Sequence, residues 1–251
     1  MKSCLALLGL LPFVVSLNAQ IEKYFPIEKG VVWNYQIEKT RRFVLLEGEQ
    51  VDEISGTSSE TIVDNIYPEF TTEGALILQQ NVSQKSKMSG GESHDSLNIL
   101  FSEKGQTVLN YGQLPDGVPF NKDALYSDPS VLIDFNKVKA GEPFQSTMSM
   151  KGMKISTTSS DYEYVTLDTA LGKLENVLRY KVTGTITGVI NSGSQTLNIQ
   201  DGKIKETNWL APGIGTVKQE QHMEMALTIG GKPIITSIED KTKVITSMER
   251  E

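Results

Sequence analysis

Val177-Leu178-Arg179-Tyr180-Lys181-Val182-Thr183-Gly184-Thr185-Ile186-Thr187-Gly188-Val189-Ile190 decides the fold class. One parity carries Leu178, Tyr180, Val182, Ile186 and Ile190 together with two glycines. The other carries Arg179, Lys181, Thr183, Thr185 and Thr187. Successive side chains of an extended backbone point to opposite faces, so a sustained period of two marks a long, half-buried β-strand. Gly184 and Gly188 lie on the apolar face and predict bends, or the close approach of a neighbouring backbone.

The same period recurs on both sides of this stretch. From Val217 to Ile229, Met223, Met225, Leu227 and Ile229 share one face, while Lys218, Glu220, His222 and Glu224 share the other. Val31, Trp33, Tyr35, Ile37, Phe43 and Leu45 keep one parity, which Lys39 and Arg41 interrupt. Lys39, Arg41 and Arg42 are split by the alternation and read as a solvated strand face. Leu76, Leu78 and Val82 repeat the pattern.

Turn chemistry supplies hairpins. Lys151-Gly152 is a two-residue loop that pairs Met150 with Met153 and Met148 with Ile155 on one face. Asp201-Gly202 reads as a type I′ turn pairing Ile199 with Ile204. Gly230-Gly231 turns the strand ending at Ile229 back into Pro233-Ile234-Ile235, and Asn191 to Ser194 and Lys104-Gly105 mark further reversals. Helical signals are poor. The best is Asn121 to Tyr126, ended by Asp128-Pro129, and a second short turn is read over Asp64 to Phe70. The reading is all-β: a long-stranded curved antiparallel sheet or half-open β-barrel with few short helices. It forms one domain over residues 20–251, with a break near Pro115 to Pro129 as the alternative.

Residues 1–19 read as a signal peptide. Lys2 gives the basic start, Leu5 to Val15 the apolar run, and Leu17-Asn18-Ala19 a cleavage site after Ala19. That run is too short to span a bilayer and no later stretch approaches the length required, so the expected product is exported and not membrane-spanning. It would reside in the periplasm or the extracellular medium. The sole cysteine, Cys4, lies in the leader, so the mature chain has no disulfide, thiolate ligand or cysteine nucleophile. The formal charge of −7 becomes −8 once Lys2 is removed, which argues against nucleic-acid binding by phosphate neutralisation.

Two aromatic landmarks frame the mature chain. Tyr24-Phe25-Pro26 precedes Gly30-Val31-Val32-Trp33-Asn34-Tyr35, where Trp33 and Tyr35 share a parity and anchor the first strand in the core. Trp209-Leu210-Ala211-Pro212-Gly213-Ile214-Gly215 carries a type II turn with Gly213 at positive φ. No helix start follows these glycines, so a phosphate cradle lacks its dipole. With Gly172 to Tyr180 between them, the landmarks resemble a broad group of exported bacterial proteins without an assigned function. Members share a Tyr-Phe-Pro…Gly-x-x-Trp-x-Tyr opening and a Trp-x-Ala-Pro-Gly-x-Gly-x-Val-Lys turn. The resemblance implies a curved antiparallel sheet similar to that of LolA-type periplasmic lipoprotein carriers, in which a half-open barrel holds acyl chains. It implies no catalytic residues.

Met148, Met150, Met153, Met223 and Met225 fall on predicted inward faces, and Met88 is a candidate to join them. Methionine is unbranched and polarizable, which suits both the filling of irregular gaps and a surface that adapts to apolar ligands. The candidate ligand-binding residues are therefore Met148, Met150, Met153, Tyr180, Ile186, Met223, Met225 and Leu227. His222 alternates outward with Glu220 and Glu224, and His94 sits in a loop between glycines and the next strand. Ser93, His94 and Asp95 are adjacent and cannot form a triad, and Glu92, His94 and Asp95 lack metal-ligand spacing. No catalytic residue, metal site or cofactor is assigned. The expected function is a non-enzymatic binding protein that holds an apolar small molecule or lipid on the concave face of its sheet. The alternative is a structural or protein-interaction module of the cell envelope with a filled core.

Overall fold

The computed structural model describes residues 24–25, 30–45, 47–63, 78–88, 91–118, 125–150, 152–192 and 195–250. The leader, the turn read over Asp64 to Phe70 and the side chains of Met88 and Met150 lie outside the described residues. The strands are β1 (Val31–Leu45), β2 (Gly48–Val63), β3 (Leu78–Met88), β4 (Gly91–Lys104), β5 (Thr107–Pro115) and β6 (Leu125–Asp134), followed by helix α1 (Phe135–Ala140). Then come β7 (Phe144–Met150), β8 (Met153–Thr169), β9 (Gly172–Ser192), β10 (Gln195–Ala211), β11 (Gly215–Ile229) and β12 (Lys232–Arg250).

All twelve strands form one antiparallel sheet in the order β6-β5-β4-β3-β2-β1-β12-β11-β10-β9-β8-β7. The chain is a meander on each side of a central β1–β12 pair. The two edges, β6 and β7, are joined through α1 and touch, so the sheet is nearly closed as a barrel. No described helix is long and apolar enough to cross a membrane.

Most predicted turns are present. Met150 pairs with Met153 and Met148 with Ile155 across Gly152. Gly230 and Gly231 both adopt positive φ, 57° and 79°, as a two-residue hairpin loop requires. Gly213 has φ 73° in the turn closed by the Ile214 amide donating to the Ala211 carbonyl at 3.2 Å. β5 pairs with β6, so the strands on either side of Pro115 to Pro129 are neighbours in one sheet.

Asp201-Gly202 is not a turn. It is a bulge inside β10, and Ile199 faces Leu227 while Ile204 faces Met223 on β11. A turn here would leave strands of only a few residues, whereas the bulge keeps Ile199 and Ile204 inside one long strand. A Cβ on Gly202 would lie 2.3 Å from the Ile186 carbonyl oxygen, so glycine serves close approach at this point. Gly184 and Gly188 meet the expectation of tight contact: an added Cβ would come within 2.3 Å of the Ser156 oxygen and 2.1 Å of the Gly152 oxygen.

The helix expected over Asn121 to Tyr126 is absent where it is described, since Leu125 and Tyr126 begin β6. Asp128-Pro129 lies within that strand, and an edge position tolerates a proline that cannot donate to the ladder. The helix falls instead on Phe135–Ala140. Asp134 caps it by accepting from the Asn136 and Lys137 amides, and Gly141 ends it at φ 69°. His94 is also in a strand rather than a loop, opposite Lys85, with Nε2 2.9 Å from the Ser83 hydroxyl.

Candidate functional site

Residues opposite one another in an antiparallel pair share a face, so the register carries inward side chains around the wall as rungs. One rung runs Gly56, Ile37, Lys243, Gln219, Asn208, Tyr180. The next runs Ile54, Lys39, Lys241, Gln221, Glu206, Val182, and the third Asp52, Arg41, Glu239, Met223, Ile204, Gly184. Together they place a band of charges and amides inside the barrel.

Lys39 and Arg41 therefore do not form a solvated face, and only Arg42, paired with Glu49, is on the outside. Glu239 draws both inward cations to one carboxylate, Lys39 Nζ at 2.8 Å and Arg41 Nη2 at 3.1 Å. Glu206 accepts from Asn208 at 2.6 Å and from Gln221 at 2.9 Å. On the first rung's side of the band, Glu60 is ion-paired with Lys243 and accepts from Gln80 at 3.0 Å. The Lys243 ammonium also stands 3.9 Å from the Tyr35 ring centroid. Tyr35 donates to the Thr216 carbonyl at 3.0 Å, and burial followed by the charge of Glu60 pushes its phenol well above the usual tyrosine range.

Lys241 differs from its neighbours. It has no hydrogen bond or ion pair among the described residues, although Lys39 and Gln221 flank it in the same rung. Burial, then the cations Lys243 and Lys39, hold its ammonium below the ordinary lysine pKa, while Glu206 and Glu239 act in the opposite sense.

The band separates two apolar regions. On one side Ile186, Leu197, Ile199 and Leu227 form a cluster, with Met153, Met223 and Met225 packed against it. Met148 is half-buried in the rung of Ile155, Ile186 and Met225. Six of the eight predicted residues are thus gathered at this end, as interlocking packing. Tyr180 is not with them. It belongs to the larger cluster beyond the band, beside Tyr162, where burial and then Glu206 raise its phenol pKa.

That larger cluster includes Tyr24, Trp33, Tyr35, Phe101, Val177, Leu210, Val217 and Ile245. Against it lies an interior cavity of about 390 Å³, bounded by none of the eight predicted residues. Its apolar walls come from Phe25, Trp33, Ile62, Val82, Leu97, Ile99 and Phe101, and its charged lining is Glu60, Lys241 and Lys243. The sequence carried a signal for the charged lining: Glu239, Lys241 and Lys243 share the parity of Ile235 and Ile245, as Lys39 and Arg41 share that of Trp33 and Ile37.

The outer wall also has shallow depressions. The larger, of about 570 Å³, is lined by Ser55, Thr57, Lys85, Lys87, Glu92 and His94 among others. Another, of about 450 Å³, holds His222, whose Nδ1 lies 2.7 Å from Asp240. These are open, shallow hollows in the curved sheet, lined by strand backbone and long charged side chains. Among the described residues no group of His, Cys, Asp or Glu is placed to hold a metal ion.

No family of known proteins matches the chain by sequence, and no curated protein matches it. Three solved structures show a distant similarity to it. A predicted exported protein with a YmcC-like fold from Bacteroides fragilis is 15% identical, with 91% of this chain and 99% of that chain covered and a TM-score of 0.43. A predicted lipoprotein from Parabacteroides distasonis is 14% identical, with 90% and 98% covered and a TM-score of 0.32. An outer membrane channel from Pseudomonas putida is 9% identical, with 88% and 97% covered and a TM-score of 0.24.

Proposed function

We propose that this is a non-enzymatic, exported binding protein of the cell envelope whose barrel interior takes an apolar or lipid-like ligand. The observation that carries the reading is the cavity of about 390 Å³, walled by Trp33, Phe101 and aliphatic side chains and bordered by the charged band. Its volume is in the range of about 300–1,000 Å³ usual for small-molecule sites. The outer wall carries Lys181, Lys205, Glu220, His222 and Asp240, where a lipid-facing barrel would present an apolar belt. These outward charges support a barrel that works in water and holds its ligand inside.

Trp33 lines the cavity, and the other tryptophan, Trp209, stacks with Arg179 and Lys218 in a separate place. In a Trp209→Phe background, emission reports the cavity alone. Titration with 1-dodecanol is expected to shift that emission, and native mass spectrometry of freshly purified protein to retain a lipid-sized adduct. An unmoved spectrum together with a bare mass would end the reading.

A second reading, a protein-interaction module, is favoured by Val44, Leu45 and Val51, which are exposed together at the β1–β2 tip. Replacing all three with serine should abolish capture of an envelope partner and leave dodecanol binding intact.

A further inference from the structure

Resting on that reading, we infer that the cavity selects amphiphiles with an anionic head, a carboxylate above all, and that Lys241 receives the head while the tail lies along Trp33, Ile62, Val82 and Phe101. Three observations converge on this assignment.

First, the charged groups lining the cavity do not balance. Lys243 is satisfied by Glu60, and Glu60 is further held by Gln80. This leaves Lys241 as a surplus cation on the same wall. Second, neither nearby carboxylate makes an ion pair with Lys241. Glu239 holds Lys39 and Arg41, and Glu206 holds Asn208 and Gln221. Third, the position is amphipathic. Lys241 lines the cavity from the middle rung of the band, one rung behind Lys243, so a head placed there directs a chain past Lys243 toward the apolar walls.

An unpaired, partly desolvated ammonium is costly in the empty protein, and a bound carboxylate supplies the missing partner in a medium that strengthens the pair. A neutral head of the same length supplies much less. The groups acting on Lys241 from the surrounding strands are Lys39 of β1, Lys243 and Glu239 of β12 and Glu206 of β10, with Gln221 of β11 beside it. The two cations favour an anion there and the two carboxylates oppose it, but neither carboxylate is paired with Lys241. An arriving carboxylate favours the charged form of Lys241, so its binding takes up a proton when it begins above the lowered pKa of that residue, and it weakens as pH rises through that range.

The test is calorimetric titration at pH 7 with three probes of equal chain length: dodecanoate, 1-dodecanol and dodecylammonium. Dodecanoate is expected to bind roughly ten-fold tighter than the alcohol, the lower end of what a charged hydrogen bond contributes, and dodecylammonium more weakly than either. Lys241→Met should bring dodecanoate to the level of the alcohol, and Lys241→Arg should keep most of the preference. Circular dichroism confirms that each variant is folded, and Lys241→Gln replaces Lys241→Met if the latter is not. Equal affinity for acid and alcohol, or an equal loss of both in the variant, would overturn the anionic selectivity and leave the apolar site standing. Failure of all three probes to bind would overturn both.

Discussion

The two ends of the barrel interior are built from different materials. At the methionine end, Met153, Met223 and Met225 pack on Ile186, Ile199 and Leu227, and contact is non-directional and adaptable. Across the band, Lys243, Glu60 and Gln80 meet at fixed hydrogen-bond geometry, and a cavity remains beside them. Flexible side chains close the space around themselves, whereas charges held to partners cannot move to fill it. The space is therefore kept open by the rigid end, and the end rich in methionine is packed.

The sharpest way to break this contrast is to remove the carboxylate shared by two cations. Glu239 is buried, and its loss strands Lys39 and Arg41 in the interior. Glu239→Ala should cost about 3 kcal/mol, the lower end expected for a broken buried pair because Lys39 and Arg41 are partly solvated. Urea denaturation measures it. Adding Lys39→Met and Arg41→Leu to the variant should restore most of the loss. A variant as stable as the parent would show that water already solvates the band.

Next in size is the backbone contact beneath the methionine end. An added Cβ on Gly184 would meet the Ser156 oxygen at 2.3 Å and the Thr157 Cα at 3.0 Å, and both are backbone atoms that cannot swing aside. Gly184→Ala should cost about 1–3 kcal/mol by overpacking. The same substitution at Gly105, whose added Cβ meets nothing within 4 Å, carries only the strain of its positive φ and should cost less. If the two substitutions cost the same, the tight approach of β8 to β9 is not a feature of the folded state.

Particular residues show which parts of this architecture were legible. The alternation from Val177 to Ile190 and the glycine pairs gave the long strands and most hairpins, because period and turn chemistry are local. Asp201-Gly202 misled because the same dipeptide serves a tight turn or a bulge, and the choice depends on Leu227 and Ile186 on neighbouring strands. Lys39 and Arg41 misled for the same reason. Their inward parity was plain, but the carboxylate that makes it tolerable is about 200 positions away in sequence, as Glu239. Met153, Met223 and Met225 pack on the inner cluster, yet only packing distinguishes a filled interior from an open one. The cavity is lined jointly by β1–β6, β11 and β12, so no single segment could announce it.

A milder test asks whether the methionine end is as tolerant as its chemistry suggests. Met225→Leu conserves volume and should cost less than about 1.5 kcal/mol by thermal melting, with binding of 1-dodecanol unchanged. A loss of binding there, with the fold intact, would move the ligand from the cavity to the methionines and reverse the assignment of the two ends.

The smallest effect has the opposite sign. Lys241 in the folded chain has its pKa below the 10.5 of a free lysine, with burial the leading cause. Between those two values the unfolded chain holds a proton that the folded chain has released, so stability rises with pH across that window. At pH 7 the folded chain carries the penalty of an unpaired, desolvated ammonium, and above pH 10.5 neither state is charged and the penalty disappears. Lys241→Met should therefore raise the melting temperature at pH 7 by about 2–4 °C, what roughly 1 kcal/mol gives in a chain of this size. Melted side by side at pH 11, the two proteins should differ only by packing. Such a gain in stability with a loss of selectivity is expected where a residue is retained for its ligand rather than for the fold. A variant that melts lower at pH 7 would mean that Lys241 is already satisfied in the empty barrel, and the distinction between a filled end and a receptive end would lose its charged half.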